Sequence, residues 1–309
     1  MGYISLKQAS ENWNISERRI RRLIQENRIE GATKIGNAWN IPEETNKPID
    51  KRYKIEEDKF IIDIPNNFFN KLDAKKEKLD SKRPFPKETL KTLEENFRLE
   101  WIYNSNAIEG NTLTLKETKV VLEGITIGGK TMREHLEAIN HNEAIAFLEE
   151  LIKDNKELTE ANIKNIHYIV LKGIDNENAG RYRRENVIIS GANHIPPEAV
   201  RLPEFMEKLI YRYDEWKEEY HPIIVSALLH AEFVKIHPFI DGNGRTARLL
   251  MNLEAMKNGY PPIIIKTEER HKYYDALDKG AITGDYTDFV KIVTKQAEEM
   301  LDLYLKIIK

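Results

Sequence analysis

Hydrophobic residues recur at helical spacing along most of the chain, and three segments differ in their pattern. In residues 1–46, a short first helix precedes a second one predicted over residues 17–27, whose apolar positions lie three and four residues apart. An alternating apolar ribbon with a Gly-Asn turn at residues 36–37 comes next. This order predicts a winged helix-turn-helix-like module over residues 1–46.

The rest of the chain divides into a charged connector and a long helical region. Residues 47–87 are rich in charge and contain four prolines, so we expect a linker with one helix near residues 66–79. From residue 88 to residue 309, apolar stripes at helical spacing predict one large helical domain.

Two helix starts and one hairpin stand out in this helical region. Thr114 with Glu117, and Thr131 with Glu134, have the spacing of capping boxes. Residues 187–197 contain a β-branched run, a Ser-Gly turn and a Pro-Pro end, which indicate a hairpin laid across the helices. The predicted fold class is therefore mainly α: a helical bundle with a β-hairpin flap, preceded by the small helix-turn-helix-like module.

Charge and composition narrow the classes of function. The chain of 309 residues has 48 Lys and Arg against 51 Asp and Glu, so its net charge is −3 and bulk charge does not drive nucleic-acid binding. It contains no Cys, which excludes disulfides and thiolate zinc sites. It has neither a signal-peptide core nor an uncharged apolar run of membrane-spanning length, so we expect a soluble, cytoplasmic protein with no membrane partner.

The residues that carry chemistry are concentrated in residues 237–248, His-Pro-Phe-Ile-Asp-Gly-Asn-Gly-Arg-Thr-Ala-Arg, after a predicted apolar helix. Gly242 and Gly244 allow close backbone approach and point N–H groups into one concavity at the start of the next helix, which predicts an anion site. Arg245 and Arg248 lie three residues apart on that helix and present two guanidinium groups to the same anion.

Two further residues of this stretch have roles that follow from their chemistry. Asp241 offers a hard oxygen ligand to a Mg²⁺ that bridges phosphates. His237, with an ordinary pKa of about 6.5, is suited to take a proton from an attacking hydroxyl. Each residue alone also fits a structural role, but their combination favours phosphate chemistry. The match to the dinucleotide pattern G-x-G-x-x-A fails because it follows a helix and not a strand.

Residues 237–248 resemble the pattern H-x-F-x-D/E-G-N-G-R-x-x-R of the Fic (filamentation induced by cyclic AMP) domain and match every defining position. That family is a helical bundle with a β-hairpin flap, and its usual activity is AMPylation, the transfer of AMP from ATP to a Ser, Thr or Tyr hydroxyl of a target protein. The resemblance therefore implies a protein adenylyltransferase that uses ATP and Mg²⁺. It implies His237 as general base, Asp241 as metal ligand, and phosphate contacts from Gly242, Asn243, Gly244, Arg245 and Arg248.

A segment far upstream resembles the family's inhibitory helix near residues 105–110, with the pattern S/T-x-x-x-E-G/N. The resemblance implies that the Glu109 carboxylate pairs with Arg248 in the place of the ATP γ-phosphate and leaves the α-phosphate misaligned. Ser105, one turn earlier, would fix that helix. The plain alternative is that Glu109-Gly110-Asn111 is only a helix end.

Two more segments resemble parts of the family's site. The predicted hairpin resembles the flap that pairs with a target's backbone, through Val187, Ile188, Ile189 and Ser190. A helix after the motif resembles the adenine-side segment, in which Tyr273 or Tyr274 would line the base. The alternatives are an ordinary structural hairpin and a core tyrosine.

One helix of the N-terminal module is rich in basic residues: Arg18, Arg19, Arg21 and Arg22. With its wing, the module resembles a winged helix-turn-helix of the MerR or excisionase type, in which that helix enters the major groove of DNA and Arg contacts phosphates or guanine. The alternative is a module that docks another protein or forms a dimer contact.

Three functions fit the sequence. The first is an autoinhibited AMPylator whose partner is a target protein bearing a hydroxyl side chain. The second is a DNA-binding transcriptional regulator whose core senses nucleotide, and the third is AMP removal, in which the resemblance gives Glu109 a role in activating water. An intact His237 favours the enzyme, because a sensor needs no base. The target protein is not identified, and a homodimer is left open.

Overall fold

The computed structural model describes residues 2–13, 17–25, 28–29, 31–36, 38–43, 45 and 60–308. The chain divides into two compact units, Met1–Asp58 and Lys59–Lys309.

The first unit combines two helices with a three-stranded antiparallel sheet. Its elements are β1 Tyr3–Ser5, α1 Leu6–Trp13, α2 Glu17–Gln25, β2 Thr33–Ile35 and β3 Ala38–Pro42. Strand β3 lies between β1 and β2, with Ile4 opposite Ile41. The two helices and the β2–β3 hairpin follow the predicted order. Strand β1 was not predicted, because three residues ahead of a helix are too few to establish an alternation.

The buried core of this unit is formed by apolar residues from both helices and the sheet: Ile4, Ala9, Ile20, Leu23, Ile24, Ile29 and Ile41. Three of them are the inward positions of α2, so the three-and-four spacing in the sequence identifies the buried face of that helix.

The second unit is mainly helical. Its helices are α3 Asn70–Asp80, α4 Lys87–Ile108, α5 Leu115–Leu122, α6 Met132–Lys153, α7 Glu160–Leu171, α8 Leu202–Glu219, α9 Pro222–Ile236, α10 Asn243–Lys257, α11 Arg270–Thr283 and α12 Thr287–Ile307. Short 3₁₀ turns precede α8 and α11. Within the described residues, no helix combines the length and the apolar character that crossing a membrane requires.

Helices α9 and α10 form the centre of this unit. They pack against each other, and α6, α7, α8, α11 and α12 pack around them. Residues 223–233 of α9 are all buried, which accords with a sequence that is apolar on every side of the helix. The loop between α9 and α10 is therefore held at both ends by the most buried helices of the fold.

Both predicted capping boxes are confirmed. The Thr114 hydroxyl accepts from the Glu117 N–H at the start of α5, and the Thr131 hydroxyl accepts from the Glu134 N–H at the start of α6, with the reciprocal carboxylate bonds present. Glu134 also accepts from the Thr112 hydroxyl (2.5 Å) and the Thr112 N–H (3.0 Å). The hydroxyl of Thr112 and the amides of the box lower the pKa of Glu134 to about 2. This box thus also anchors the chain that follows α4.

Residues 60–87, which the sequence assigned to a linker, lie on the helical unit. Helix α3 buries Leu72 and Leu79 in the core. The Ile61 N–H donates to the Gly284 carbonyl (2.9 Å), and the Ile61 carbonyl accepts from the Tyr286 N–H (2.9 Å). Charged residues dominate the composition here, so its few buried apolar residues were not recognised as core. Residues 47–59 of the predicted linker lie outside the described residues.

The predicted hairpin at residues 187–197 is an extended segment with one turn, in which the Ala192 N–H donates to the Ile189 carbonyl (3.2 Å). Within this segment, all of which the structure describes, no ladder of hydrogen bonds joins the two arms. The second arm bonds elsewhere, since the His194 N–H donates to Asp278 Oδ1 on α11 (2.9 Å). A turn signal in the sequence therefore did not reveal which element the returning arm contacts.

Candidate active site

The motif forms a loop between two buried helices. Helix α9 ends at Ile236, and His237 adopts a left-handed conformation (φ 50°) that turns the chain out of the helix. Pro238 follows and has no N–H to continue the helix. Gly242 is also left-handed (φ 74°) and caps α10, which begins at Asn243. The loop therefore leads into the N-terminus of α10, where unpaired N–H groups and the helix dipole favour an anion.

Asn243 and Phe239 hold this loop in one conformation. The Asn243 side chain accepts from the Phe239 N–H (3.0 Å) and donates to the Phe239 carbonyl (2.8 Å). The buried Phe239 ring stacks on the imidazole of His167, with centroids 3.5 Å apart. His167 Nε2 donates to the Asp241 carbonyl (2.8 Å), because its Nδ1 accepts from the Gly180 N–H (2.9 Å). The side chain of Asn243 thus shapes the loop through its backbone.

His237 is largely buried and neutral at physiological pH. Burial and the Arg183 guanidinium outweigh the raising effects of the Val234 backbone and Glu109, so the pKa of His237 is lowered to about 4. Arg183 Nε donates to the His237 carbonyl (2.9 Å), and the Arg183 N–H donates to the Pro238 carbonyl (2.9 Å). A positioned neutral imidazole is able to accept a proton from a nucleophile.

Asp241 belongs to a closed set of four alternating charges, which we call the charge ring: Asp241, Arg245, Glu137 and Arg133. Arg245 Nη2 lies 3.2 Å from Asp241 Oδ1, and Arg245 Nη1 lies 3.2 Å from Glu137 Oε1. Arg133, at the start of α6, donates from Nε to Glu137 Oε1 (3.1 Å) and from Nη2 to Asp241 Oδ2. Burial raises the pKa of Asp241, but Arg245, the Gly242 N–H and Arg133 outweigh it, so the pKa is lowered.

Arg248 is buried, with its side chain 2% exposed, and its guanidinium binds three residues. Nε donates to the Ser105 hydroxyl (2.9 Å), Nη2 donates to the Ser105 carbonyl (2.7 Å) and to Glu109 Oε1 (2.7 Å), and Nη1 donates to the Tyr273 hydroxyl (3.2 Å). Burial lowers the pKa of Arg248, but Tyr273 and Glu109 more than offset it, so the pKa is raised. The end of α4 is thereby tied to the start of α10.

The Glu109 carboxylate lies directly over Gly244. A Cβ atom at Gly244 would overlap Glu109 Oε1 and would lie 3.1 Å from Arg248 Nη1. The position therefore accommodates only a glycine while Glu109 is there. An acidic side chain of the protein itself thus occupies the concavity in which the motif predicts an anion.

The two candidate adenine-side tyrosines have different surroundings. Tyr273 is 1% exposed, and its hydroxyl accepts from Arg248 and lies 3.0 Å from His230 Nε2. Tyr274 is 38% exposed, and its hydroxyl donates to the Ile108 carbonyl at the end of α4 (3.2 Å). Tyr273 is therefore a structural partner of Arg248, whereas Tyr274 has ring surface open to a ligand.

Arg183 connects the loop that carries His237 to the candidate flap. Its Nη1 donates to the Glu185 carbonyl (2.8 Å) and its Nη2 to the Pro197 carbonyl (2.5 Å), so one buried guanidinium ties both ends of the segment. Between these ends, Ile188 and Ser190 are exposed, whereas Val187 and Ile189 are half-buried.

Sequence reasoning assigned no role to four residues that complete the site: Arg133, Glu137, His167 and Arg183. They lie far from the motif along the chain, on α6, α7 and the segment before the flap. Glu137 had a usable signal, because it lies one turn from His141 and two turns from Ala144 on the buried face of α6. A carboxylate on such a face requires a buried partner, although the sequence does not say which one.

The candidate DNA-contact arginines lie on α2 of the first unit: Arg18, Arg19, Arg21 and Arg22. The side chains of Arg18 and Arg21 are exposed, and Arg21 pairs with Glu17 one turn earlier (2.8 Å). The side chains of the other two lie outside the described part of the chain.

Comparisons with known proteins identify relatives of this chain. The Fic/DOC family model matches residues 157–255. A protein adenylyltransferase Fic from Nematostella vectensis is 39% identical over 249 residues, which cover 78% of this chain and 56% of the relative. The protein of the same name from Aedes aegypti is 38% identical over 244 residues, covering 77% of this chain and 47% of that relative. The chain thus spans about half the length of the curated relatives it matches.

Solved structures share the fold. A Fic domain containing signaling protein from Bacteroides thetaiotaomicron superposes with a TM-score of 0.72 and 30% identity, over 77% of this chain and 96% of that one. A Fic-1 fragment from C. elegans gives a TM-score of 0.69 and 34% identity, over 77% of this chain and 71% of that one. Sequence and fold therefore agree over most of the helical unit, and the chain belongs to the Fic/DOC family.

Proposed function

We propose that this protein transfers AMP from ATP to a Ser, Thr or Tyr hydroxyl of a target protein. The observation that carries the proposal is a neutral, buried His237 at one end of a loop whose other end is an anion site formed by α10, Arg245 and Arg248. The target oxygen attacks the α-phosphorus while its proton passes to His237, and the bond to the bridging oxygen breaks as pyrophosphate leaves. The curated relatives are named for the same activity.

Mg²⁺ is the cation that this site would use. No three His, Cys, Asp or Glu side chains converge among the described residues, so a closed protein cage is not offered there. Mg²⁺ is commonly held by one or two carboxylates together with phosphates and waters, and Asp241 fits that mode because its lowered pKa keeps it ionised beside the anion site. The bound ion would neutralise charge on the phosphates and on the departing pyrophosphate.

Glu109 holds the enzyme in an inhibited state. A γ-phosphate and the Glu109 carboxylate compete for the same partners, which are Arg248 and the start of α10 around Gly244. While the carboxylate is there, a bound nucleotide is displaced and its α-phosphate is not in line with the target hydroxyl. Activation therefore requires that the end of α4 moves away or that the Glu109 side chain is removed.

The flap segment is the docking element for the target. An extended target strand that pairs with residues 187–190 would bring its hydroxyl toward His237, since Arg183 ties this segment to the catalytic loop. Ile188, which is 82% exposed, would contact a target side chain. Pairing through the backbone tolerates many target sequences.

The test is label transfer from α-labelled ATP with Mg²⁺ to the protein itself. We expect strong labelling in Glu109→Gly, weak labelling in the parent, and none when His237→Ala is added to Glu109→Gly. Labelling of the double variant at more than about one hundredth of the Glu109→Gly rate would refute the assigned base. Absence of label in every variant would contradict AMP transfer and would favour another phosphate donor; release of AMP from a modified protein would instead indicate AMP removal.

DNA binding is a second candidate function, and it belongs to the first unit. Helix α2 exposes Arg18 and Arg21 on the side away from its buried residues, and the β2–β3 hairpin follows as a wing. This arrangement would let α2 enter a major groove while the hairpin contacts the backbone. If removal of residues 1–46 abolishes DNA binding and leaves AMP transfer intact, the two functions are separate. A homodimer stays a prediction.

A further inference from the structure

Arg133 enters the charge ring from the solvent side. Its side chain is 56% exposed, whereas that of Arg245 is 2% exposed. Its guanidinium lies between two carboxylates, with Nε bonded to Glu137 Oε1 (3.1 Å) and Nη2 bonded to Asp241 Oδ2. A monovalent cation tethered to α6 is therefore in direct contact with the carboxylate that would bind Mg²⁺.

The two oxygens of Asp241 are engaged in different ways. Oδ1 accepts from the Gly242 N–H (2.6 Å) and faces the buried Arg245, so its partners belong to the loop and to α10. Oδ2 faces Arg133, which is on the exposed side. A divalent cation that approaches Asp241 from solvent meets the Arg133 guanidinium first. Two cations at contact distance from one oxygen repel each other strongly, so both do not occupy it together.

We infer that Arg133 is a resident counter-cation of Asp241, which competes with Mg²⁺ and is displaced when the metal and the nucleotide bind. The inference rests on the proposed function, because it takes Asp241 as the metal ligand. Arg133 acts as a positioning residue: it sets how tightly the site holds metal and does not touch the reacting atoms. Its exposure allows the side chain to leave Asp241 at small cost.

Glu137 provides Arg133 with an acceptor in both states. It is held in place by the buried Arg245 (3.2 Å) and by Asn111, whose Nδ2 donates to Glu137 Oε2 (2.9 Å). When Nη2 of Arg133 leaves Asp241, Nε can keep its bond to Glu137. The charge ring then opens at one contact, and neither Glu137 nor Arg133 is left without a partner of opposite charge.

The test measures the affinity for ADP by calorimetry, once with Mg²⁺ and once with EDTA. The ratio of the two affinities is the gain from metal. ADP has no γ-phosphate to compete with Glu109, so the unmodified protein serves as the parent. In Arg133→Gln we expect this gain to rise about three- to tenfold. The metal then no longer has to break an exposed ion pair, and the repulsion between the guanidinium and the metal is removed. In Arg133→Lys, which keeps the charge, we expect it to stay within about twofold of the parent.

Two controls separate the inference from the proposal on which it rests. Arg98→Gln removes the same charge from a partly exposed pair between Arg98 on α4 and Glu149 on α6, and should leave the gain unchanged. Asp241→Asn should abolish the gain; if it does not, the metal assignment is wrong. If Asp241→Asn abolishes the gain while Arg133→Gln leaves it at the parent value, or Arg98→Gln raises it equally, the competition by Arg133 is refuted.

Discussion

Replacing Glu109 by Gly should activate AMP transfer, because it removes the anion that Arg248 now binds. The contact is a charge-assisted hydrogen bond of 2.7 Å between a guanidinium that is 2% exposed and a carboxylate that is 30% exposed. Such a bond contributes about 1.5–3 kcal/mol, and the partial exposure of Glu109 favours the lower half of that range. At about 1.4 kcal/mol for each factor of ten, we expect a rise of about 10- to 40-fold in the initial rate.

Replacing Glu109 by Gln removes the charge of the side chain and keeps nearly the same shape. The amide oxygen of Glu109→Gln can still accept from Arg248 Nη2, but a neutral hydrogen bond contributes only about 1 kcal/mol. Part of the inhibitory contact therefore remains, and we expect a rise of about two- to eightfold. The rates should follow the order Gly, Gln, parent. Equal rates for Glu109→Gln and the parent would mean that the charge of Glu109 contributes nothing beyond its hydrogen bond.

The assay is the initial rate of labelling from α-labelled ATP, with Glu123→Gly as the matched control. Glu123 caps the end of α5 and precedes a left-handed Gly124 (φ 86°), just as Glu109 caps the end of α4 and precedes a left-handed Gly110 (φ 99°). The control thus makes the same substitution in the same backbone setting, away from Arg248. If Glu109→Gly binds ADP as the parent does and yet labels no faster than Glu123→Gly, the contact with Arg248 does not inhibit.

Three further predictions concern the base, a buried tyrosine and the first unit. His237→Ala in the Glu109→Gly background should slow labelling about 100-fold or more with ADP affinity unchanged, and a smaller loss would exclude a general base. Tyr273→Phe should lower the free energy of unfolding in urea by about 1–2 kcal/mol, because a buried nitrogen of Arg248 loses its acceptor; no change would contradict that role. Replacing the four arginines of α2 by Gln should weaken DNA binding and reduce its salt dependence, and unchanged affinity would exclude α2 as the groove helix.

The features that the sequence predicted are those whose causes are local. Each capping box depends on two residues three positions apart, so its spacing identifies a helix start. The loop between α9 and α10 was predictable for the same reason, since Pro238 ends one helix and Gly242 caps the next within a few residues. The inward face of α2 also follows from short-range periodicity.

The features that escaped prediction depend on contacts between distant parts of the chain. The charge ring joins α6 to the loop between α9 and α10. Nothing near Asp241 in sequence indicates that Arg133 contacts this carboxylate. The returning arm of the flap contacts Asp278 on α11 and not the first arm, which no turn signal reveals. The sequence predicted the helix near residues 66–79, which the structure has as α3, but the charged composition of that helix did not reveal that two of its leucines are buried in the core. Side-chain partners across the fold are set by tertiary packing, which local patterns do not encode.

His141, a buried histidine next to the candidate active site, should lower the free energy of unfolding in acid. Within the described residues, neither ring nitrogen of His141 has a hydrogen-bond partner, and the ring meets Trp101 edge-on at 6.2 Å. Burial, with Arg248 and Arg245 nearby, holds the pKa of His141 well below its ordinary value. Burial and Arg248 lower the pKa of His230 in the same way. Both imidazoles therefore stay neutral in the folded state while those of the unfolded chain take up protons.

The fold should lose stability as pH falls below 6.5, and His141→Met should weaken that dependence. Because the folded pKa of His141 is lower than the unfolded value of about 6.5, the unfolded chain binds more protons in acid, so the contribution is complete above that pH and is lost below it. Between pH 7.5 and pH 5, one such histidine lowers the free energy of unfolding by about 2 kcal/mol. Met fills a similar volume and does not titrate. The free energy of unfolding in urea should therefore differ between pH 7.5 and pH 5 by about 2 kcal/mol less in His141→Met than in the parent. His271→Met, at an exposed position on α11, is the control. If His141→Met shows the same difference in the free energy of unfolding between the two pH values as the parent, His141 is protonated in the folded state. That outcome would contradict the expectation that Arg248 and Arg245 exclude a third positive charge there.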